Sequence, residues 1–176
     1  GSKPIHLKLI FERASGRVLG AQAVGAAGVE RRIDVIAMAI QMGATVFDLE
    51  EAELCYAPQY GAAKDPVNVA GMIAANTLRG DKLLAGWEEE PGDALFLDVR
   101  EPAEFARGHL PGAINVPLSQ LRERFGELPK DREIRVNCGV GQRSYYAVRF
   151  LRQNGFDARN LSGGFQTWQA FQQVKK

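Results

Sequence analysis

Between residues 94 and 173 the sequence switches every few positions between short apolar runs and segments of helical spacing, and that rhythm leaves few folds open. Residues 94–99 (ALFLDV) form a continuous apolar run ending in charge, the signature of a strand buried on both faces of a sheet. Helices are predicted over 102–107, 118–125, 144–154 and 165–173, and strands over 113–116, 134–137 and 158–161. Strands and helices alternating at this density predict an α/β unit: a mostly parallel sheet with helices on both faces.

The chemistry is concentrated where the strand 134–137 runs into Cys138-Gly139-Val140-Gly141-Gln142-Arg143-Ser144. Open α/β sheets place their ligands at the carboxyl ends of strands, which makes this loop a candidate site by position. Glycines at 139 and 141 permit positive φ, so the amides of Gly139, Val140, Gly141, Gln142 and Ser144 can curl around one point. A helix starting near Ser144 aims its positive end at the same point, and such a nest stabilises an anion. Arg143 adds a permanent charge. Together these features predict a Cys138 thiol titrating below the free value of about 8.5, hence a nucleophilic thiolate. The same cradle could hold the outer sulfur of a persulfide, which makes Cys138 a candidate sulfur carrier. Gly139-x-Gly141-x-x-Ser144 is only a partial dinucleotide fingerprint, since the third glycine is absent and no acid clearly ends the next strand.

The first half reads differently. Apolar, β-forming segments at 5–11 and 17–25, separated by Ser15-Gly16, predict a β-hairpin. Helical spacing over 29–42 and 67–78, the latter entered through Asp65-Pro66, predicts two helices, with 48–53 a short acidic turn or helix. Residues 79–93, with Gly, Pro and the acidic run Glu88-Glu89-Glu90, have linker composition, and the domains are placed at 1–82 and 83–176.

Four stretches in order, LFLDVREP (95–102), EFARGHLPGAINVP (104–117), CGVGQRS (138–144) and NLSGGFQTW (160–168), closely resemble the rhodanese homology domain. The resemblance implies a rhodanese-like fold and a two-step sulfur transfer. Cys138 would take a sulfane sulfur from thiosulfate, a polysulfide or a CoA-type persulfide and pass it to a thiol or cyanide, with no metal or bound cofactor needed. Cys138 and Arg143 are then the catalytic residues, and Gly139, Val140, Gly141, Gln142 and Ser144 bind substrate. Arg143 lies five positions after Cys138, the shorter loop of the sulfurtransferases, whereas the related phosphatases carry one residue more. A ring of that size suits one sulfur atom better than a tetrahedral phosphate.

Residues 3–80 resemble the C-terminal dimerisation domain of pyridine nucleotide-disulfide oxidoreductases, in KLIF (8–11), GRVLGAQAVG (16–25), RIDVIAMAI (32–40) and YAPQYGAAKDPVN (56–68). The last stretch is similar to the CoA-disulfide reductase and NADH oxidase branch, some members of which carry a C-terminal rhodanese domain. This resemblance implies a homodimer, with Tyr56 and Tyr60 reaching the partner subunit's active site, and FAD, NAD(P)H and coenzyme A as cofactors of a parent enzyme. The chain looks like a C-terminal piece of such a parent, cut inside an α+β dimerisation domain, with no cofactor of its own and an unpaired strand edge near 5–11 that invites association. Gly1-Ser2 reads as a cloning remnant.

Composition narrows the partners. With 22 basic and 21 acidic residues the formal charge is +1, too little excess to favour nucleic acid or an anionic membrane. No apolar run approaches the roughly 20 residues of a membrane span. Two cysteines, Cys55 and Cys138, make no disulfide framework, which points to a reducing cytoplasm. Cys55 receives no role. His109 is expected to fix its turn by a hydrogen bond, Asp98 and Arg100 to pair with each other or brace the loop, and Glu88–Glu90 to be a solvated face. The competing reading of the second half is a non-catalytic docking or redox-sensing module. A phosphatase or arsenate reductase is disfavoured by loop length.

Overall fold

A computed structural model describes residues 3–59, 61–81 and 83–174, Val174 by its backbone alone. The chain divides into two compact units, Gly1–Asp81 and Lys82–Lys176.

The first unit is α+β. Strands β1 (Ile5–Phe11) and β2 (Val18–Gly25) pair antiparallel, and helices α1 (Val29–Gln41), α2 (Val46–Glu51) and α3 (Pro66–Leu78) follow. Alternate residues of β1 (Leu7, Leu9, Phe11) face a core of Val18, Ile36, Val46, Leu49, Val67 and Ala75. The acidic 48–53 segment resolves into α2, which starts earlier because Thr45 and Asp48 cap it reciprocally. Asp65 caps α3 through the Val67 N–H and also pairs with Arg32 at 2.8 Å, which ties α1 to α3. β1 and β2 pair with no further strand among the described residues.

The second unit is a five-stranded parallel sheet in the order β3-β7-β6-β4-β5, built from β3 (Leu84–Ala85), β4 (Leu95–Asp98), β5 (Ile114–Asn115), β6 (Ile134–Asn137) and β7 (Ala158–Leu161). Helices α4 (Pro102–Ala106), α5 (Leu121–Arg124), α6 (Gln142–Gln153) and α7 (Gly164–Val174) flank it. Strand alternation separates two cores. Leu95, Leu97, Ile134, Val136 and Ala158 pack with Leu121 of α5 and with Ala147, Val148 and Leu151 of α6, whereas Phe96 and Leu161 pack with Phe165 and Trp168 of α7. The sheet therefore carries helices on both faces, as expected.

Three expectations need correction. The helix predicted over 118–125 is one turn at Leu121–Arg124 followed by a 3-10 turn, because residues 118–120 fold back on the Pro117 carbonyl. α6 begins at Gln142 rather than Ser144, with Gly141 at φ 105° as its N-cap. Residues 79–93 are not a free linker. Leu84 and Ala85 form the edge strand beside β7, Arg135 donates to the carbonyls of Glu89 and Glu90 at 2.8 Å each, and Arg159 pairs with the Glu89 carboxylate at 2.8 Å. The acidic run is thus a strap fastened by arginines 45 to 70 positions away in sequence, which composition does not reveal.

Candidate active site

β6 is the middle strand of the sheet, with all four residues buried, and it delivers Cys138 to the carboxyl edge at 1% exposure. The loop then turns back on the sulfur. Gly141 N–H donates to Cys138 Sγ at 3.1 Å and Ser144 Oγ lies 3.3 Å from it. Burial pushes the thiol up. The Ser144 hydroxyl and the backbone N–H groups of Ser144, Gly141 and Val140 outweigh that effect, and the thiol is held below its ordinary value. The thiol is lowered chiefly by hydrogen bonds, with the Ser144 hydroxyl the strongest, rather than by the Arg143 charge.

Arg143 is engaged elsewhere. Its guanidinium makes a two-pronged contact with Glu104 of α4, Nη1 to Oε2 at 2.6 Å and Nη2 to Oε1 at 2.8 Å. This contact holds the Glu104 carboxyl down from 4.5 to about 2, and it raises Arg143, to which the sulfur adds less. Glu104 was legible only as part of a resembling stretch and had no predicted role; it needs the fold to bring α4 to the loop. Val140 and Gln142 are exposed at the loop's mouth, Gly139, Gly141 and Arg143 are half-buried, and Ser144 lies fully buried beneath the sulfur.

The loop is also gripped from behind. The first N–H groups of α7 donate to its carbonyls, Phe165 N to Cys138 O at 2.7 Å and Gln166 N to Gly139 O at 3.1 Å. Gly164, at φ 61°, allows that approach, since a Cβ there would lie 2.5 Å from the Cys138 carbonyl oxygen. Asn160 of β7 joins from below, accepting from Ser144 Oγ at 2.7 Å and donating to Gly141 O at 2.9 Å.

Around this centre the braces are structural. Asp98 and Arg100 pair at 2.7 Å, and Arg100 also donates to the Gly108 carbonyl and covers the Phe165 ring at 4.1 Å. His109 Nδ1 meets the Phe105 carbonyl at 3.0 Å, and its ring stacks on Phe105. Seven of the predicted site residues, 138 to 144, form this one loop. Tyr56 stands exposed in the first unit, near the exposed Cys55, and Tyr60 lies outside the described residues. No helix among the described residues is long and apolar enough to cross a membrane.

Residues 81–171 match the family model for the rhodanese-like domain, and residues 1–65 match that for the pyridine nucleotide-disulphide oxidoreductase dimerisation domain. A sulfurtransferase of Allochromatium vinosum is 42% identical over 77 residues, covering 43% of this chain and 72% of that protein. Coenzyme A disulfide reductase of Staphylococcus epidermidis is 46% identical over 74 residues, 42% of this chain and 17% of the reductase. The solved structure of a NAD-dependent persulfide reductase from A. fulgidus aligns with a TM-score of 0.84 at 42% identity, covering 93% of this chain and 30% of that one. The chain thus spans under a third of the length of either reductase.

Proposed function

This chain belongs to the rhodanese-like domain family through its second half, and from that membership we propose that Cys138 carries sulfur as a persulfide between a small donor and a thiol or cyanide acceptor. The observation that supports this best is a buried sulfur ringed by donors, the Ser144 hydroxyl and three loop N–H groups. In the first step the thiolate attacks the outer sulfur of thiosulfate; a bond forms to Cys138 Sγ, the donor S–S bond breaks, and sulfite leaves with the electron pair. The negative charge then sits on the outer persulfide sulfur. Arg143 and the loop N–H groups bind the donor's charge and that outer sulfur. In the second step an acceptor thiolate or cyanide takes the outer sulfur and the Cys138 thiolate returns.

In a longer parent the module would serve a CoA-disulfide or persulfide reductase that uses FAD and NAD(P)H, with Tyr56 and Tyr60 near the partner subunit's active site. The glycine loop of this chain is closed around Cys138 Sγ, so it offers no cradle for a dinucleotide. A cytoplasmic homodimer completes the proposal.

Incubation with thiosulfate followed by intact-mass measurement tests it. The native protein should gain one sulfur atom and release sulfite, and Cys138→Ser should do neither. Full transfer by Cys138→Ser would refute the proposal. A native thiol that takes no sulfur and alkylates like a free thiol would favour the docking or redox-sensing module instead. Arg143→Ala should lower kcat/KM with thiosulfate by about 10²–10³-fold, as expected for loss of a group that stabilises developing charge.

A further inference from the structure

Beneath the loop, polar groups of four residues form a closed ring. Gly141 N–H donates to Cys138 Sγ at 3.1 Å, Ser144 Oγ stands 3.3 Å from that sulfur and 2.7 Å from Asn160 Oδ1, and Asn160 Nδ2 donates to Gly141 O at 2.9 Å. Ser144 is 0% and Asn160 5% exposed, which keeps bulk water from replacing any of these partners. The orientation of Asn160 follows from its neighbours. Only its amide nitrogen can donate to the Gly141 carbonyl, so its oxygen must face Ser144 Oγ; the flipped amide would set two carbonyl oxygens against each other. A serine hydroxyl has one proton. Ser144 cannot give it to Asn160 and to Cys138 at once.

We propose that Asn160 is a positioning residue for sulfur transfer, competing with Cys138 for the Ser144 proton so that the hydroxyl donates to the sulfur only while the sulfur carries the negative charge. This rests on the reading of Cys138 as the sulfur carrier. With a protonated thiol, S–H donates to Ser144 Oγ and O–H donates to Asn160 Oδ1, and every group is satisfied. In the thiolate, the O–H turns to Sγ and Asn160 Oδ1 is left buried against an oxygen with no proton between them. Once the persulfide forms, the charge has moved to the outer sulfur under the loop N–H groups, Sγ is neutral, and the Ser144 proton returns to Asn160. Ser144 therefore favours the thiolate and Asn160 favours the two uncharged forms of Sγ. Asn160 thus promotes the loading step by destabilising the species that attacks. Of the charged groups around the ring, Arg143 pairs with Glu104 and also favours the charged sulfur, whichever way the Ser144 proton points, and Arg100 pairs with Asp98 at the end of the neighbouring strand.

The test is a double-mutant cycle on the pH midpoint of Cys138 alkylation by iodoacetamide, run in a Cys55→Ser background because Cys55 is exposed. Ser144→Ala should raise the midpoint and Asn160→Ala should lower it, each by about one pH unit. In the Ser144→Ala background, Asn160→Ala should leave the midpoint where it was. A higher midpoint in Asn160→Ala, or an equal shift with and without Ser144, overturns the proposal, because both are what a merely loosened loop would give. Asn160→Leu, closer in volume, reads the same cycle if the alanine variant fails to fold. Alkylation reports the thiol whether or not sulfur is transferred. Failure of native protein to load sulfur from thiosulfate would sink the carrier reading, and failure of the cycle would sink the role of Asn160.

Discussion

At the scale of single residues, the pairing of Glu104 with Arg143 makes a distinct acid signature. A carboxyl held at about 2 contributes stability that is complete above its unfolded value of 4.5 and is lost as pH falls through about 2. Both side chains are about a third exposed, which reduces the contribution to about 1 kcal/mol. Unfolding of native protein and Glu104→Gln, followed by circular dichroism at pH 7 and pH 2, should show that difference at neutrality and most of it gone at pH 2. Thiosulfate KM should rise in Glu104→Gln, because the Arg143 guanidinium is no longer aimed by a carboxylate. How the site was legible divides along the same line. Cys138, the glycines, Arg143 and Ser144 are contiguous in sequence, and the chemistry of that string is local. Glu104 and Asn160 are 34 positions before and 22 after Cys138. Each is an ordinary polar residue until the sheet brings it to the loop, and sequence gives no reason to prefer it over its neighbours.

Among the elements, α7 and its entry turn hold the loop from behind, through the carbonyls of Cys138 and Gly139. Gly164→Ala would force a Cβ onto the Cys138 carbonyl at a positive φ, and a destabilisation of about 1–3 kcal/mol should follow, with slower alkylation of Cys138. Thermal unfolding and iodoacetamide kinetics read both; a change in melting alone would mean that the grip of α7 leaves the sulfur untouched. A second element-scale prediction concerns β6, where the Asn137 amide is fully buried with neither its nitrogen nor its oxygen partnered among the described residues. Replacing it with Val should hold or raise stability, since an unpaired buried amide costs about 1–3 kcal/mol. Most elements were readable from periodicity because β6 buries both faces, β1 buries alternate residues and each long helix buries one face. The short ones failed where the determinant was remote: β3 and the acidic strap depend on Arg135 and Arg159, and α5 is cut short by a turn at Pro117.

For the whole molecule, each unit has its own buried core, so the second should stand alone. Residues 83–176 prepared separately should unfold cooperatively and transfer sulfur within about twofold of the 176-residue chain, because the loop and every group that holds it belong to the second unit. Self-association should stay with the first unit, where Val24, Met38 and Met42 are 72%, 57% and 78% exposed and no further strand among the described residues pairs with the hairpin. Light scattering at micromolar concentration should find a dimer for the complete chain and a monomer for 83–176; a monomeric complete chain would contradict this. The clasp of α7 on the two loop carbonyls has a temporal consequence as well. A ribosome emits Cys138 well before Phe165, and until that last helix docks the ring of amides has no back wall. Cys138 therefore emerges before the helix that holds its loop carbonyls, and that support is completed only late in the synthesis of the domain.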